Sequence, residues 1–289
     1  MKVLYLLDGS AFLYRSFFAL PPLSTSKGFP TSAIYGFMRA IFALLKTEKP
    51  VYFAIAFDLP APTKRESLYK EYKAKRPTMP DPLKVQIPVI KELVDLLGIK
   101  RYEVEGYEAD DIIATLALRA LEKGFFVKVY SPDKDIMQLV SDRLVVVNPI
   151  SGEVFDKKKV LEKFGVPPEK LKDYLALVGD KVDNIEGVKG VGPKTAIRLL
   201  QQYGSVENIL RNWEDFLVSF PQAKKEDLEL ALALLELHTV EGLDFDEESL
   251  KLKEPNIPTL KRKFEELEMK SLIKELENLS QRVAQKSLF

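Results

Sequence analysis

The 289-residue chain contains no cysteine, which removes disulfides, thiolate metal ligands and cysteine nucleophiles together. It contains a single histidine, His238, in the run LLELHTVEG. A serine and histidine hydrolase would have to use that residue. It is expected near the end of a helix, far in sequence from any acidic motif, and is read as structural or solvated. No stretch reaches the ~18 consecutive apolar residues of a membrane span, and the start MKVLYLLDGS lacks the zones of a signal peptide. A cytoplasmic location with no membrane partner is the expectation. Net charge is absent too, since 43 Lys and Arg balance 43 Asp and Glu. Only the distribution of charge can therefore point to a partner. Chemistry in this chain must run on carboxylates, lysines, arginines, tyrosines and metals.

What is present is a long alternation of two patterns. Short apolar runs bounded by turn residues read as buried strands: VLYLLDG from Val3, YFAIAFD from Tyr52 and VKVYSPD from Val127, with YEVE and LVVVN as further candidates. Between them lie helical patterns such as AIYGFMRAIFALLK, LKVQIPVIKELVDLLG and DDIIATLALRALEKG. Strands alternating with longer helices predict an α/β unit with a mostly parallel central sheet flanked by helices, over residues 1–164. From residue 165 to 289 the pattern changes to short amphipathic helices punctuated by Gly and Pro, including KLKDYLALVGD, PKTAIRLLQQYG and DLELALALLELH. A mainly helical second region is expected there. The stretch LKRKFEELEMKSLIKELENL reads as a helix packed on the body with one solvated face.

The carboxylates fall where the strands end. Asp8 closes VLYLLD, Asp58 closes AIAFD, and PDKD delivers Asp133 and Asp135 at the end of a third strand. In open parallel sheets the ligand crevice lies at the carboxyl ends of the strands, so these acids are expected on one rim. EGYEADD adds Glu108, Asp110 and Asp111 at the start of a helix. Acids in a first turn favour the helix dipole, but three exceed what capping needs. GDKVDN supplies Asp180 and Asp183 from the helical region. Like charges ~4 Å apart repel by roughly 4 kcal/mol at an effective dielectric of 20, so nine converging carboxylates imply bound cations. Oxygen-only ligands favour hard ions, magnesium or manganese, over zinc. Two such ions can activate water and clamp a phosphate during in-line displacement, a chemistry that needs no histidine.

Two further segments suit nucleic acid. TKRESLYKEYKAKRP, within a basic segment of about residues 62–82, carries Lys64, Arg65, Lys70, Lys73, Lys75 and Arg76, with Tyr69 and Tyr72 interleaved. Cations for phosphates with aromatic rings for unstacked bases is a pattern that holds single strands; a solvated basic helix is the plainer alternative. NIEGVKGVGPKTAIRLL places Gly187, Gly190 and Gly192 in a turn between helices, with Pro193 suited to the first turn of the second. Exposed amides there could receive a phosphate beside Lys189 and Lys194.

Taken together, LLDGSAFLYRSF, AFD, YKEYKAKRP, GYEADD, SPDKDIMQL and GDKVDNIEGVKGVGPKTA closely resemble the bacterial 5′ nuclease family, which includes the 5′-3′ exonuclease domain of DNA polymerase I and the flap endonucleases. The resemblance implies a PIN-like or resolvase-like core and a helix-three-turn-helix (a helix-hairpin-helix relative) over about residues 171–203. It implies two or more Mg²⁺ or Mn²⁺ ions on Asp8, Asp58, Glu108, Asp110, Asp111, Asp133, Asp135, Asp180 and Asp183. By the same similarity Tyr72 would stack on a base near the cut, while Lys73 and Arg76 steer the phosphate and offset transition-state charge. Lys70, Lys75 and Arg15 would contact DNA, and the turn from Gly187 through Lys189, Gly190, Gly192 and Lys194 to Thr195 would grip the duplex backbone, with potassium bound there. The expected partner is DNA with a 5′ flap, 5′ overhang or nick, acted on by a monomer in primer removal and repair. Because the chain stops after KSLF, a free-standing nuclease served by a separate DNA polymerase is expected. The rival readings are a junction-binding protein without turnover and a metal-dependent ribonuclease on the same core.

Overall fold

A computed structural model describes residues 1–149 and 151–286, those after 279 as backbone only. Six strands form one sheet: β1 (Val3–Asp8), β2 (Tyr52–Ala56), β3 (Lys100–Tyr102), β4 (Phe126–Tyr130), β5 (Leu144–Val147) and β6 (Val154–Phe155). Their spatial order is β3-β2-β1-β4-β5-β6, parallel throughout except for β6, which pairs antiparallel with β5. Every residue of β2, and of β1 after Val3, is buried, because helices cover both faces. The chain moves outward from β1 to β3 and then crosses back to β4 on the other side of β1. The switch point, where a crevice opens at the strand ends, lies between β1 and β4.

Register fixes the rim. Asp8 is level with Ala56 of β2, and Leu7 is level with Tyr130 of β4. Asp58 and Asp133 therefore stand only two and three residues beyond paired positions that flank Asp8. The third strand begins two residues earlier than YEVE, at Lys100, and its pairing ends where Tyr102 O accepts from Phe57 N at 2.9 Å. An edge strand with one free side need not alternate, which is why the pattern misplaced it. The predicted helix from Leu83 is broken into α4 (Asp81–Lys84) and α5 (Ile87–Leu96). Pro88, lacking an N–H, starts the second piece, and fully buried Gln86 joins them by donating to Pro82 O and accepting from Ile34 N.

Helices α1 (Gly9–Phe18), α2 (Ser32–Glu48) and α5 cover one face of the sheet. α6 (Ala109–Glu122) covers the other, sharing a core with the helical region: α7 (Lys157–Phe164), α8 (Leu171–Val178), α9 (Pro193–Tyr203), α10 (Val206–Arg211), α11 (Trp213–Ser219) and α12 (Lys225–Leu235). A short helix, α3 (Lys64–Leu68), opens the basic segment. After α12 the chain returns to the α/β layer, where Leu250 O accepts from Phe53 N and Leu252 N donates to Val51 O. Two last helices, α13 (Ile257–Glu266) and α14 (Lys270–Lys286), lie on the face that carries α2 and α5. Leu260, Phe264, Leu272 and Leu276 are their buried stripe, joined by buried Met269 from the connection, with Phe264 edge-on to Phe42 at 6.1 Å. The charged stretch is thus two packed helices, interrupted at Glu268, whose φ of 58° stops the first. The region expected to be helical from residue 165 contributes to both faces of the sheet. Its expected end at Phe289 lies outside the described residues.

Candidate metal and DNA site

Four acids gather at the switch point. Buried Asp8 ends β1 and caps α1, accepting from Ala11 N and from the Ser131 hydroxyl at 2.9 Å each. Asp58 is exposed, and its Oδ1 accepts from Ala109 N at 2.7 Å, at the start of α6. Asp133 accepts from Asp135 N at 2.9 Å. Asp110 makes no hydrogen bond through its side chain among the described residues. Burial, with Asp133 and Asp8 beside it, holds its carboxyl far above the usual carboxylate range. Burial also pushes Asp8 up to about 7, helped by Asp58 and Asp133.

A second group lies beside it. Asp180 and Asp183 sit in a tight loop after α8, closed by reciprocal 2.8 Å backbone hydrogen bonds between Asp180 and Ile185. Together with Asp135 they offer carboxylate oxygens all within 4.8 Å of one another. Asp135 Oδ1 is buried without a hydrogen-bond partner, 3.5 Å from Lys134 Nζ. Burial and the neighbouring Asp133 raise Asp135 to about 7. An orphaned buried oxygen among crowded acids fits an oxygen-ligated cation.

These two raised values set a pH dependence. A carboxyl near 7 in the folded chain stays protonated where the unfolded chain has already ionised, so the folded state binds more protons and loses stability as pH rises toward 7. Metal-free protein is expected to melt lower at pH 8 than at pH 5.5, by about 5 °C or more. Added Mn²⁺ should shrink that difference. Differential scanning fluorimetry in EDTA and in Mn²⁺ checks it, and a flat metal-free profile would refute the proposed protonation.

Glu108 adjoins Asp110, but it and Asp111 are engaged by protein donors. Glu108 is held by Lys73 Nζ at 2.8 Å, Arg65 Nη1 at 3.0 Å and the Tyr72 hydroxyl at 3.2 Å. Asp111, 1% exposed, accepts four hydrogen bonds: two from Arg65, one from Glu108 N and one from His238 N, each between 2.8 and 3.1 Å. A carboxylate has about four lone-pair sites, and those of Asp111 are taken by protein donors. His238, whose backbone N–H makes one of these contacts, lies beyond the end of α12.

The basic segment folds down over this rim. Lys70, Lys75 and Arg76 are exposed, whereas Tyr72 is 5% exposed and presents no free ring face for a base. Tyr72 sits beneath the segment because Lys73 N donates to Asp183 O, Asn184 Nδ2 donates to Glu71 O, and Arg76 pairs with Asp183. Arg65 is buried, so it is no part of a solvated basic face. Lys64 donates to the Tyr107 hydroxyl at 2.6 Å. Arg15 is half-buried on α1.

Beyond Asp183 the glycine-rich turn joins α8 to α9. A Cβ on Gly187 would lie 2.4 Å from Val178 C and 2.5 Å from Gly179 N, so this glycine is dictated by close helix-to-turn packing. Gly190 and Gly192 face open space, with Lys189 and Lys194 exposed and Thr195 half-buried alongside. Sequence reasoning missed Ser131, Lys134 and the burial of Arg65. The first two carried a signal: Ser131 directly follows β4, and Lys134 lies between two acids and pairs with Asp135 and Asp180.

A resolvase-like parallel sheet with an acid-lined rim, completed by a helical layer, defines the class as nuclease. Residues 3–165 match the family model of the 5′-3′ exonuclease N-terminal resolvase-like domain, and residues 166–258 match that of its C-terminal SAM fold. The chain belongs to the 5′-3′ exonuclease family. It is 61% identical to a 5′-3′ exonuclease of Aquifex aeolicus over the whole of both chains. It is 42% identical over 274 residues to the thermostable DNA polymerase I of Thermus thermophilus, matching 93% of this chain but 32% of that enzyme. Solved structures share the fold at 18% identity. A bacteriophage T5 flap endonuclease complexed with DNA and metal ions has a TM-score of 0.67, covering 97% of this chain and 98% of that one. The catalytic core of Rad2 with DNA substrate has a TM-score of 0.65, covering 96% and 91%.

Proposed function

We propose that this protein hydrolyses DNA phosphodiesters at or near single-strand to duplex junctions, releasing a 5′ flap or 5′ nucleotides in primer removal and repair. The reading rests chiefly on one observation: Asp135 from the sheet rim meets Asp180 and Asp183 from the loop that leads into the glycine-rich turn. An acid of the α/β layer and two of the helical layer thus form one group, beside a surface suited to duplex backbone. Asp8, Asp58, Asp110 and Asp133 would hold one divalent ion and Asp135, Asp180 and Asp183 a second, Mg²⁺ or Mn²⁺, with Glu108 adjoining the first. Bound there, such ions polarise the scissile phosphate and lower the pKa of the attacking water. The protein's own groups do the rest. Exposed Arg76, Lys70 and Lys75 steer the strand, and Lys73 offsets charge developing on the phosphate.

Amides around Gly190 and Gly192, with Lys189, Lys194 and Thr195, would hold the duplex backbone, with potassium at this turn. Tyr72 can stack on a base only if the basic segment lifts from Glu108. A cytoplasmic monomer working beside a DNA polymerase completes the reading. The test is incubation with 5′-flap duplexes bearing DNA or RNA flaps. Cleavage of the DNA flap is expected with Mg²⁺ or Mn²⁺ and none in EDTA. Binding without metal-dependent cleavage would leave a junction-binding protein, and preference for RNA would leave a ribonuclease.

A further inference from the structure

We infer that Arg65 is a positioning residue for this site: it fixes Glu108 against the C-terminal end of α12, so that the helical layer and the acid rim share one buried charge. The inference rests on the proposed role of Glu108 beside the metal site. Arg65 is 3% exposed, although Lys64, Lys70, Lys75 and Arg76 of the same run are exposed. A guanidinium has five N–H donors. Nε donates to Leu234 O at 2.8 Å, Nη1 to Glu108 at 3.0 Å and Asp111 at 2.8 Å, and Nη2 to Asp111 at 2.8 Å and to Glu236 O. Every donor is matched.

The two carbonyls belong to the end of α12, where the last turn leaves acceptors without partners and the helix carries its negative pole. The two carboxylates belong to the beginning of α6. One planar cation therefore joins the tail of a helix in one layer to the head of a helix in the other. The joint continues past Arg65, because Asp111 also accepts from His238 N and Thr115 Oγ1 accepts from Val240 N. α12 packs against α8, whose own end leads directly into the loop of Asp180 and Asp183. A shift of the helical layer is thus felt at Glu108 through Arg65 and at Asp135 through that loop. Lysine keeps the charge but has neither the planar fork nor the reach to four acceptors.

The test is Mn²⁺ affinity without DNA, by isothermal titration calorimetry on the wild type and on Arg65→Lys. Affinity in the variant is expected to fall at least tenfold, with 5′-flap affinity in EDTA changed less than threefold. Mn²⁺ affinity within threefold of wild type overturns the inference. A measurement on the wild type alone is independent of any folding defect. Mn²⁺ should slow hydrogen exchange of the His238 amide at least fivefold, and unchanged exchange also overturns it. Mn²⁺ binding with both expected shifts but no flap cleavage would sustain the positioning role while defeating the nuclease reading.

Discussion

Asp110→Ala is expected to reduce 5′-flap cleavage by at least ~10³-fold, the order of loss seen when transition-state charge stabilisation is removed. Binding of the same DNA in EDTA should change less than about threefold. The argument turns on what Asp110 lacks. Its carboxylate takes part in no hydrogen bond among the described residues, and Asp8 and Asp133 raise its pKa further above what burial alone gives. A group in that position gains nothing for the fold by being charged, which is the basis for proposing it as a cation ligand. Removing it takes away a carboxyl that makes no hydrogen bond within the protein and that its surroundings disfavour as an anion, so the fold should not suffer. Its neighbour in sequence is the opposite case, because Asp111 is spent on four protein donors. Single-turnover kinetics in saturating Mn²⁺, paired with a binding titration, checks the prediction. Cleavage within tenfold of wild type would remove Asp110 from the site, and parallel loss of binding and cleavage would indicate a folding defect instead.

Much of the rim was readable because a parallel strand points its end at a predictable place. Asp8 and Asp133 needed only the apolar runs before them, and register then set them side by side. What the sequence could not separate were residues of one chemical type with different partners. Asp110 and Asp111 are adjacent acids at a helix start, and only three-dimensional packing assigns one to the crevice and the other to Arg65. Arg65 itself carries no mark that distinguishes it from Lys64 or Lys70, since its acceptors are carbonyls and acids 43 to 171 residues away. Composition and resemblance make Tyr72 a stacking platform, whereas in the fold its neighbours hold it under the segment. The return of α13 and α14 to the sheet was hidden for a similar reason. An amphipathic stripe announces that a helix has a buried face but not which layer buries it.

Lys73→Ala is the second large effect: a fall of ~10²-fold or more in the single-turnover rate, with flap affinity in EDTA changed less than about fivefold. Lys73 links the loop of Asp183 to Glu108 at the start of α6. Its backbone N donates to Asp183 O at 3.0 Å, and its Nζ reaches Glu108 at 2.8 Å while lying 4.9 Å from the Tyr72 ring. Its φ of 56° is a left-handed conformation that a non-glycine residue adopts at a cost, here enforced by the contacts on either side. Burial disfavours the charge on Lys73, but Glu108 and Asp183 outweigh it and raise the pKa above the ordinary lysine value. The side chain is therefore a cation across the neutral range and not a proton acceptor. Two consequences separate that role from general-base catalysis. Lys73→Arg, which keeps the charge, should recover more of the rate than Lys73→Gln, which keeps only polarity. The pH profile of Lys73→Ala should also retain the shape of the wild-type profile at a lower level. If Lys73→Gln equals Lys73→Arg, or if the profile loses an ionisation with the lysine, electrostatic stabilisation by Lys73 is the wrong account of its place beside Glu108.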